Sequence, residues 1–264
     1  MLHDPTTAID DPAVVEQFWG EVLGDPAQVP LPPAPSPDPA PLDAGPLDPP
    51  PHPAKFSKPI GAAIQNLVTD LDHGSFILDP FAGVGTIHTL LRPDYRTVGV
   101  ELEPEWAAQH PGTVEGNSLA LSEMFEPEFF DGIVTSPSYG NRMADTYDGR
   151  DSSRRHTYRI DLGRPLTANS GAAMQWGAEY RGLHRGVWRE SDMVLKPGGL
   201  VILNVANHVR KGAIQPVVEF HLGCFLDMGY GVEHITEIAT PRMRHGANAE
   251  LRVPEKILVL RKPL

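Results

Sequence analysis

Phe76-Ile77-Leu78-Asp79-Pro80-Phe81-Ala82-Gly83-Val84-Gly85-Thr86 is the stretch from which the fold can be read. Apolar residues run into an acid, and a glycine-rich turn then opens a helix. This is the pattern of a buried strand that delivers a ligand loop at its carboxyl end. Glycine in such a turn lets backbone approach a ligand where a side chain would obstruct it. Downstream, Thr97-Val98-Gly99-Val100-Glu101 reads as a second strand ending in a carboxylate, at an offset suited to gripping ribose hydroxyls. A dinucleotide site makes the same demands. Here, however, His88 stands where that motif has its third glycine, and Asp79 would repel a pyrophosphate at the turn. An acid in that position suits a cationic ligand.

Asp131-Gly132-Ile133-Val134-Thr135-Ser136-Pro137-Ser138-Tyr139-Gly140 supplies the counterpart. A short apolar run leaves an acidic-glycine turn and stops at Ser-Pro-Ser-Tyr-Gly. Proline fixes the backbone there, so the carbonyls of Ser136 and Pro137 can be aimed at a ligand while Tyr139 offers a flat face. Taken alone, these residues also read as a strand stop and an ordinary turn. The pairing with the upstream stretch favours a site.

On these two stretches the chain resembles a class I S-adenosylmethionine-dependent DNA amino-methyltransferase, of the type acting on cytosine N4 or adenine N6. Asp79 to Thr86 is similar to the family's cofactor motif. Ser136-Pro137-Ser138-Tyr139 is similar to its catalytic Ser-Pro-Pro-Tyr and departs from it at Ser138. The resemblance runs from Pro53 to Lys262. It implies an α/β, Rossmann-like fold with a seven-stranded, mostly parallel sheet, an antiparallel closing strand and helices on both faces. It implies S-adenosyl-L-methionine as cofactor, held by Phe56, Ser57, Asp79, Phe81, Gly83, Gly85, Thr86, Glu101, Asn117 and Ser118. Among these, Phe56 and Ser57 take the methionine end by position, and Asn117 takes the adenine edge. As turn and cap residues, Ser57 and Asn117 have ordinary structural readings too.

The reaction so implied is site-specific methylation of an exocyclic amine of a flipped base in double-stranded DNA, with Ser136, Pro137, Ser138 and Tyr139 at the acceptor. The serine that opens the catalytic motif points to cytosine N4. Adenine N6 stays open, as do guanine amino-methylation in RNA and, from a different class, a cofactor-binding module without turnover. Methylation of the cytosine ring carbon requires a cysteine nucleophile, and Cys224 falls in an expected helix away from either motif. No metal is expected. A homodimer and a cognate restriction enzyme are left open as partners.

A chain of 264 residues with 41% apolar content can bury one good core plus appendages. A single cysteine excludes disulfides within the chain and Cys-cluster metal sites. With no apolar run of membrane-spanning length and no opening signal peptide, a soluble, cytoplasmic protein is expected. The formal charge of -12 argues against indiscriminate nucleic-acid binding. Yet between Asn141 and Glu190 nine arginines face six acids, so the charge is locally reversed, as a focused docking face requires.

The organisation reads as an amphipathic helix over 1–25, a proline-rich linker over 26–53 and a methyltransferase domain over 54–264. An Arg-rich insertion at 141–170 reads as a substrate loop. There Arg142, Arg150, Arg154, Arg155, Arg159 and Arg164 could hold phosphates, and Tyr147, His156 and Tyr158 could stack on bases. Arg242 and Arg244 form a second basic arm. Spacing predicts helices after Ser57, from Gly171 to Leu195 and from Gln215 to Met228. Strands are predicted at Leu200–Val205, Val232–Ala239 and Lys256–Leu260.

Overall fold

Apolar runs bounded by turn residues form the strands. These are β1 (Phe76–Asp79), β2 (Arg96–Glu101), β3 (Thr113–Glu115), β4 (Phe130–Thr135), β5 (Leu195–Val205), β6 (His208–Arg210), β7 (Ala213–Gln215), β8 (Gly231–Ile238) and β9 (Glu255–Arg261). Seven of them make one sheet in the order β3-β2-β1-β4-β5-β9-β8, and β6 and β7 pair separately as a hairpin. All pairings from β3 to β5 are parallel, whereas β9 is antiparallel to both β5 and β8. This is the mixed sheet with an antiparallel closing strand that defines the class I methyltransferase fold. The chain builds outward from β1 to β3 and returns to lay β4 on the other side of β1. That reversal opens a crevice at the carboxyl ends of β1 and β4.

The computed structural model describes residues 50, 52, 56–91, 94–140, 158–210, 213–238 and 254–264. The expected N-terminal helix and nearly all of the proline-rich linker lie outside these residues. So do Arg142, Arg150, Arg154, Arg155, Arg242, Arg244, Tyr147 and His156, and the side chain of Arg159.

The helices are α1 (Lys58–Leu67), α2 (Thr86–Leu90), α3 (Pro104–Ala107), α4 (Leu121–Met124), α5 (Tyr158–Leu162), α6 (Ala178–Val194) and α7 (Val217–Asp227). They cover both faces because the buried strands alternate. Val201, Leu203 and Val205 of β5 join Tyr180, Val187, Trp188 and Phe220 from α6 and α7. Leu200 and Ile202 point the other way, onto Ile60, Ile64 and Val68. Among the described residues no helix is long and apolar enough to cross a membrane.

Two local expectations change. Helix α6 begins at Ala178, because Gly177 before it is fully extended and Gly171–Ala173 forms a separate 3-10 turn. Strand β5 starts at Leu195, before Pro197, with a register shift against β4 between Phe130 and Gly132 that accommodates the proline and the glycine pair.

Candidate active site

In the parallel pair, Ile77 lies opposite Gly132 and Leu78 opposite Ile133, so β1 and β4 end at the same sheet edge. The tips are tied together by the Thr135 hydroxyl, which donates to Asp79 Oδ1 at 2.6 Å. One cleft of about 490 Å³ spans both. Phe56, Ser57, Asp79, Phe81, Gly83, Thr86, Glu101, Asn117 and Ser118 line it, together with Ser136, Pro137, Ser138 and Tyr139. Gly85 lies outside this lining. Its φ of 75° and the 2.8 Å that would separate a Cβ from His88 and His110 give it a packing reason for being glycine. His88, in place of the dinucleotide motif's glycine, is buried and bridges Thr97 and Thr113 at 2.8 and 2.9 Å.

At the cofactor end two carboxylates are held by backbone amides. Asp79 Oδ1 also accepts from Phe81 N at 3.0 Å, and burial nevertheless raises its pKa to about 6. Glu101 accepts from Gly83 N at 2.8 Å and Glu103 N at 2.9 Å. Burial raises Glu101 to about 7, with the nearby charges of Glu103 and Asp79 adding to the effect and the two amides opposing it. Asn117 Oδ1 caps the following turn through Leu119 N at 3.0 Å, and the Ser118 hydroxyl donates to the Pro80 carbonyl at 2.6 Å. Both residues therefore shape the loop as well as face the cleft.

Arg164 and Tyr158 depart from the expected substrate-loop role. Arg164 is engaged with Glu103 Oε2 at 2.8 Å and Glu105 Oε2 at 2.5 Å, so its guanidinium is committed to acids rather than available to phosphate. Tyr158 is buried against Trp106, with His52 close to both rings, at the cofactor end of the cleft.

At the β4 end of the cleft, residues from three strands converge. The Asn204 amide, at the end of β5, donates to Tyr139 Oη at 2.9 Å, lies 3.3 Å from Ser136 Oγ and reaches Glu255 Oε2 at 3.1 Å. Ser136 Oγ and Tyr139 Oη are 3.0 Å apart, and the tyrosine hydroxyl donates toward Glu255 at 3.4 Å. Behind the loop, the Tyr180 hydroxyl donates to the Ser138 carbonyl at 2.6 Å and lies 3.0 Å from His221 Nε2. Trp188 Nε1–H donates to His221 Nδ1 at 3.0 Å, which assigns the ring proton to Nε2 and the direction Trp188 to His221 to Tyr180 to Ser138. Burial holds the pKa of His221 well below its ordinary value, with His184 adding to the depression, so the imidazole is neutral. Cys224 is buried in α7 with its thiol pushed up to about 12, chiefly by burial, which leaves no reactive thiolate.

Asn204, Glu255, Tyr180, Trp188 and His221 were not among the residues singled out from sequence. None sits in a local motif, and each reaches the site across dozens of residues of chain.

The cleft fits S-adenosylmethionine. Gly83 leaves room at the loop where a Cβ would come within 3.2 Å of the His52 ring. Glu101 is an acceptor at the end of β2, and two carboxylates suit a cationic ligand. Ser57 stands at the N-cap of α1, but its side chain makes no capping hydrogen bond. Its buried Oγ has no partner among the described residues and belongs to a residue lining the same cleft.

No protein-family model matches the chain, and no curated protein matches it in sequence. Solved structures similar to it include the [4+2]-cyclase SpnF, at 15% identity and a TM-score of 0.49 over 76% of this chain and 80% of that one. A putative rRNA-methylase from Clostridium thermocellum is 11% identical, with a TM-score of 0.47 over 79% of this chain and 100% of that one. N-methyltransferase NodS from Bradyrhizobium japonicum WM9 is 12% identical, with a TM-score of 0.47 over 77% and 94%. At such identities the likeness concerns fold alone, and the strand order is what establishes the fold.

Proposed function

We propose that this protein transfers a methyl group from S-adenosylmethionine to an exocyclic amine of a DNA base, cytosine N4 in the first instance. The observation that carries the reading is the shared cleft, in which the Asp79 loop and the Ser136-Pro137-Ser138-Tyr139 loop end side by side. The bound cofactor supplies a methyl group activated by its sulfonium. Ser57 takes the methionine end, Glu101 the ribose hydroxyls and Asn117 the adenine edge. Asp79 keeps the loop closed through Phe81 N and Thr135, and its carboxylate complements the cation.

A conjugated amine is a poor nucleophile. The Pro137 carbonyl and Ser136 Oγ accept its hydrogens, which favours a rehybridised nitrogen and stabilises the charge that develops on it. Tyr139 stacks on the flipped base, its hydroxyl pinned by Asn204. Transfer would form the N–C bond as the methyl leaves the sulfonium, which would keep the electron pair and depart as the neutral thioether. The amine then sheds a proton toward Ser136 Oγ, with the Tyr139 hydroxyl and the Glu255 carboxylate continuing the hydrogen-bonded path to the cleft edge. Orientation of donor and acceptor supplies much of the rate.

The test is incubation with methyl-labelled cofactor and separate DNA, RNA and small-molecule acceptors, followed by nucleoside mass spectrometry. Label in N4-methylcytosine supports the reading. Label in N6-methyladenine moves it to the other DNA base, and label only in RNA or a small molecule replaces the substrate. Cofactor binding without transfer to any acceptor refutes catalysis.

A further inference from the structure

We propose that Arg181, Arg185 and Arg189, a stripe along α6, form the surface on which the phosphate backbone of duplex DNA docks beside the acceptor mouth. The proposal deepens the reading above and rests on it. Residues four apart share a helix face, and a rise of about 1.5 Å per residue sets these three charges over roughly 12 Å. Successive phosphates of a strand lie farther apart than the axial rise of about 3.4 Å per nucleotide, so the stripe matches two to three phosphates.

The environment of the stripe is that of cations awaiting an anion. Arg189 is exposed, and Arg181 and Arg185 are half-buried. The Arg181 guanidinium lies 5.4 Å from the centre of the Trp176 ring and that of Arg185 lies 5.5 Å from the centre of Phe220, so aromatic faces hold both in position. Among the described residues none of the three forms an ion pair, in contrast to Arg164 and Arg261, which are engaged by glutamates. Arg181 feels its neighbour: burial and then the like charge of Arg185 lower its pKa.

The acids nearby are mostly committed. Glu190 accepts from Ser122, Glu219 from Asn207, and Asp192 from Tyr230 and Lys262. Asp227 of α7 acts on Arg185 through space, without an ion-pair contact among the described residues. A chain of net charge -12 that sets on one helix three arginines without an ion pair among the described residues, Arg185 being also hydrogen-bonded to the Cys224 thiol, focuses an anion there.

The stripe also begins in the right place. Trp176, beneath Arg181, packs against Gly140, the residue after Tyr139, where a Cβ would stand 3.3 Å from the indole residue's atoms. A strand lying along α6 from Arg189 to Arg181 therefore arrives at the loop that would receive its flipped base.

The experiment measures binding of the full chain to a fluorescent duplex by anisotropy across a salt series. Each phosphate contact contributes about 0.9 to the slope of log affinity against log salt. Changing all three to glutamine (R181Q, R185Q, R189Q) should flatten the slope by about 2 to 3, with cofactor affinity unchanged in calorimetry. The matching triple lysine variant keeps the charges and should keep the slope. A slope that does not change in the glutamine variant overturns the proposal, as does an equal loss in the lysine variant. If an RNA hairpin loses slope and the duplex does not, the DNA assignment falls. Failure of the parent chain to bind any duplex also overturns it, while the methyl-transfer reading is judged separately by label in nucleosides.

Discussion

Replacing Tyr180 with phenylalanine tests the buried chain behind the Ser136–Tyr139 loop. The substitution removes one oxygen from a fully buried ring and changes little else. That oxygen donates to the Ser138 carbonyl at 2.6 Å and accepts from His221 Nε2–H at 3.0 Å. His221 cannot turn away to find another acceptor, because its Nδ1 is held by Trp188 Nε1–H at 3.0 Å and the ring is fully buried. The loss comprises one net hydrogen bond of about 1 kcal/mol and an orphaned buried N–H costing about 1–3 kcal/mol, together about 2–4 kcal/mol. Urea unfolding should show this as a lower midpoint at unchanged slope. The Ser138–Tyr139 peptide also loses its anchor, so methyl transfer should fall while cofactor affinity holds. A Tyr180→Phe protein within about 0.5 kcal/mol of the parent would refute the assigned proton direction and the chain itself.

Three further outcomes are expected. Burial holds Glu101 at about 7 in the free protein, and hydrogen bonds from ribose hydroxyls favour its ionised form. Cofactor binding should thus tighten as pH rises through 7 and weaken by up to about tenfold per unit below it. Calorimetry across this range checks the trend, Glu101→Gln should flatten it, and a pH-independent affinity in the parent contradicts it. Gly85→Ala combines a left-handed backbone with a Cβ 2.8 Å from His88 and His110, and should cost about 2–5 kcal/mol. Gly74→Ala, at φ +88° in open space, should cost only the backbone part of about 1–2 kcal/mol, so equal thermal shifts would disprove the packing argument. Tyr139→Ala should lower turnover by about 10- to 100-fold from lost stacking, with cofactor affinity within about twofold. Tyr139→Phe should lose less, and equal losses in turnover and cofactor binding would move this ring into the cofactor pocket.

The legible part of the fold was local. Ile77 and Leu78 before Asp79, and Ile133 and Val134 before Thr135, announce strands because a buried parallel strand needs an uninterrupted apolar run and then a turn. The antiparallel closing strand came from the resemblance, since nothing in Lys256 to Leu260 declares its direction. Helix α6 starts at Ala178 rather than Gly171 because the segment before it packs Met174 and Trp176 against the core without helical backbone. The short helix at Tyr158–Leu162 is too brief to show a period, and its ring finds Trp106 from more than fifty residues away.

Sequence by itself determined which residues tip the two strands: an acid and glycines on one, Ser-Pro-Ser-Tyr on the other. Those choices are written in neighbouring letters, because backbone conformation at a turn depends on the residues that make it. Tertiary structure alone decided that the two tips share a cleft, that Asn204 and Glu255 meet Tyr139, and that Trp188 and His221 steady Ser138 through Tyr180. The reason is physical. A buried polar group must find a partner wherever the packed elements bring one, and that partner is chosen by proximity in space, which the linear order does not encode.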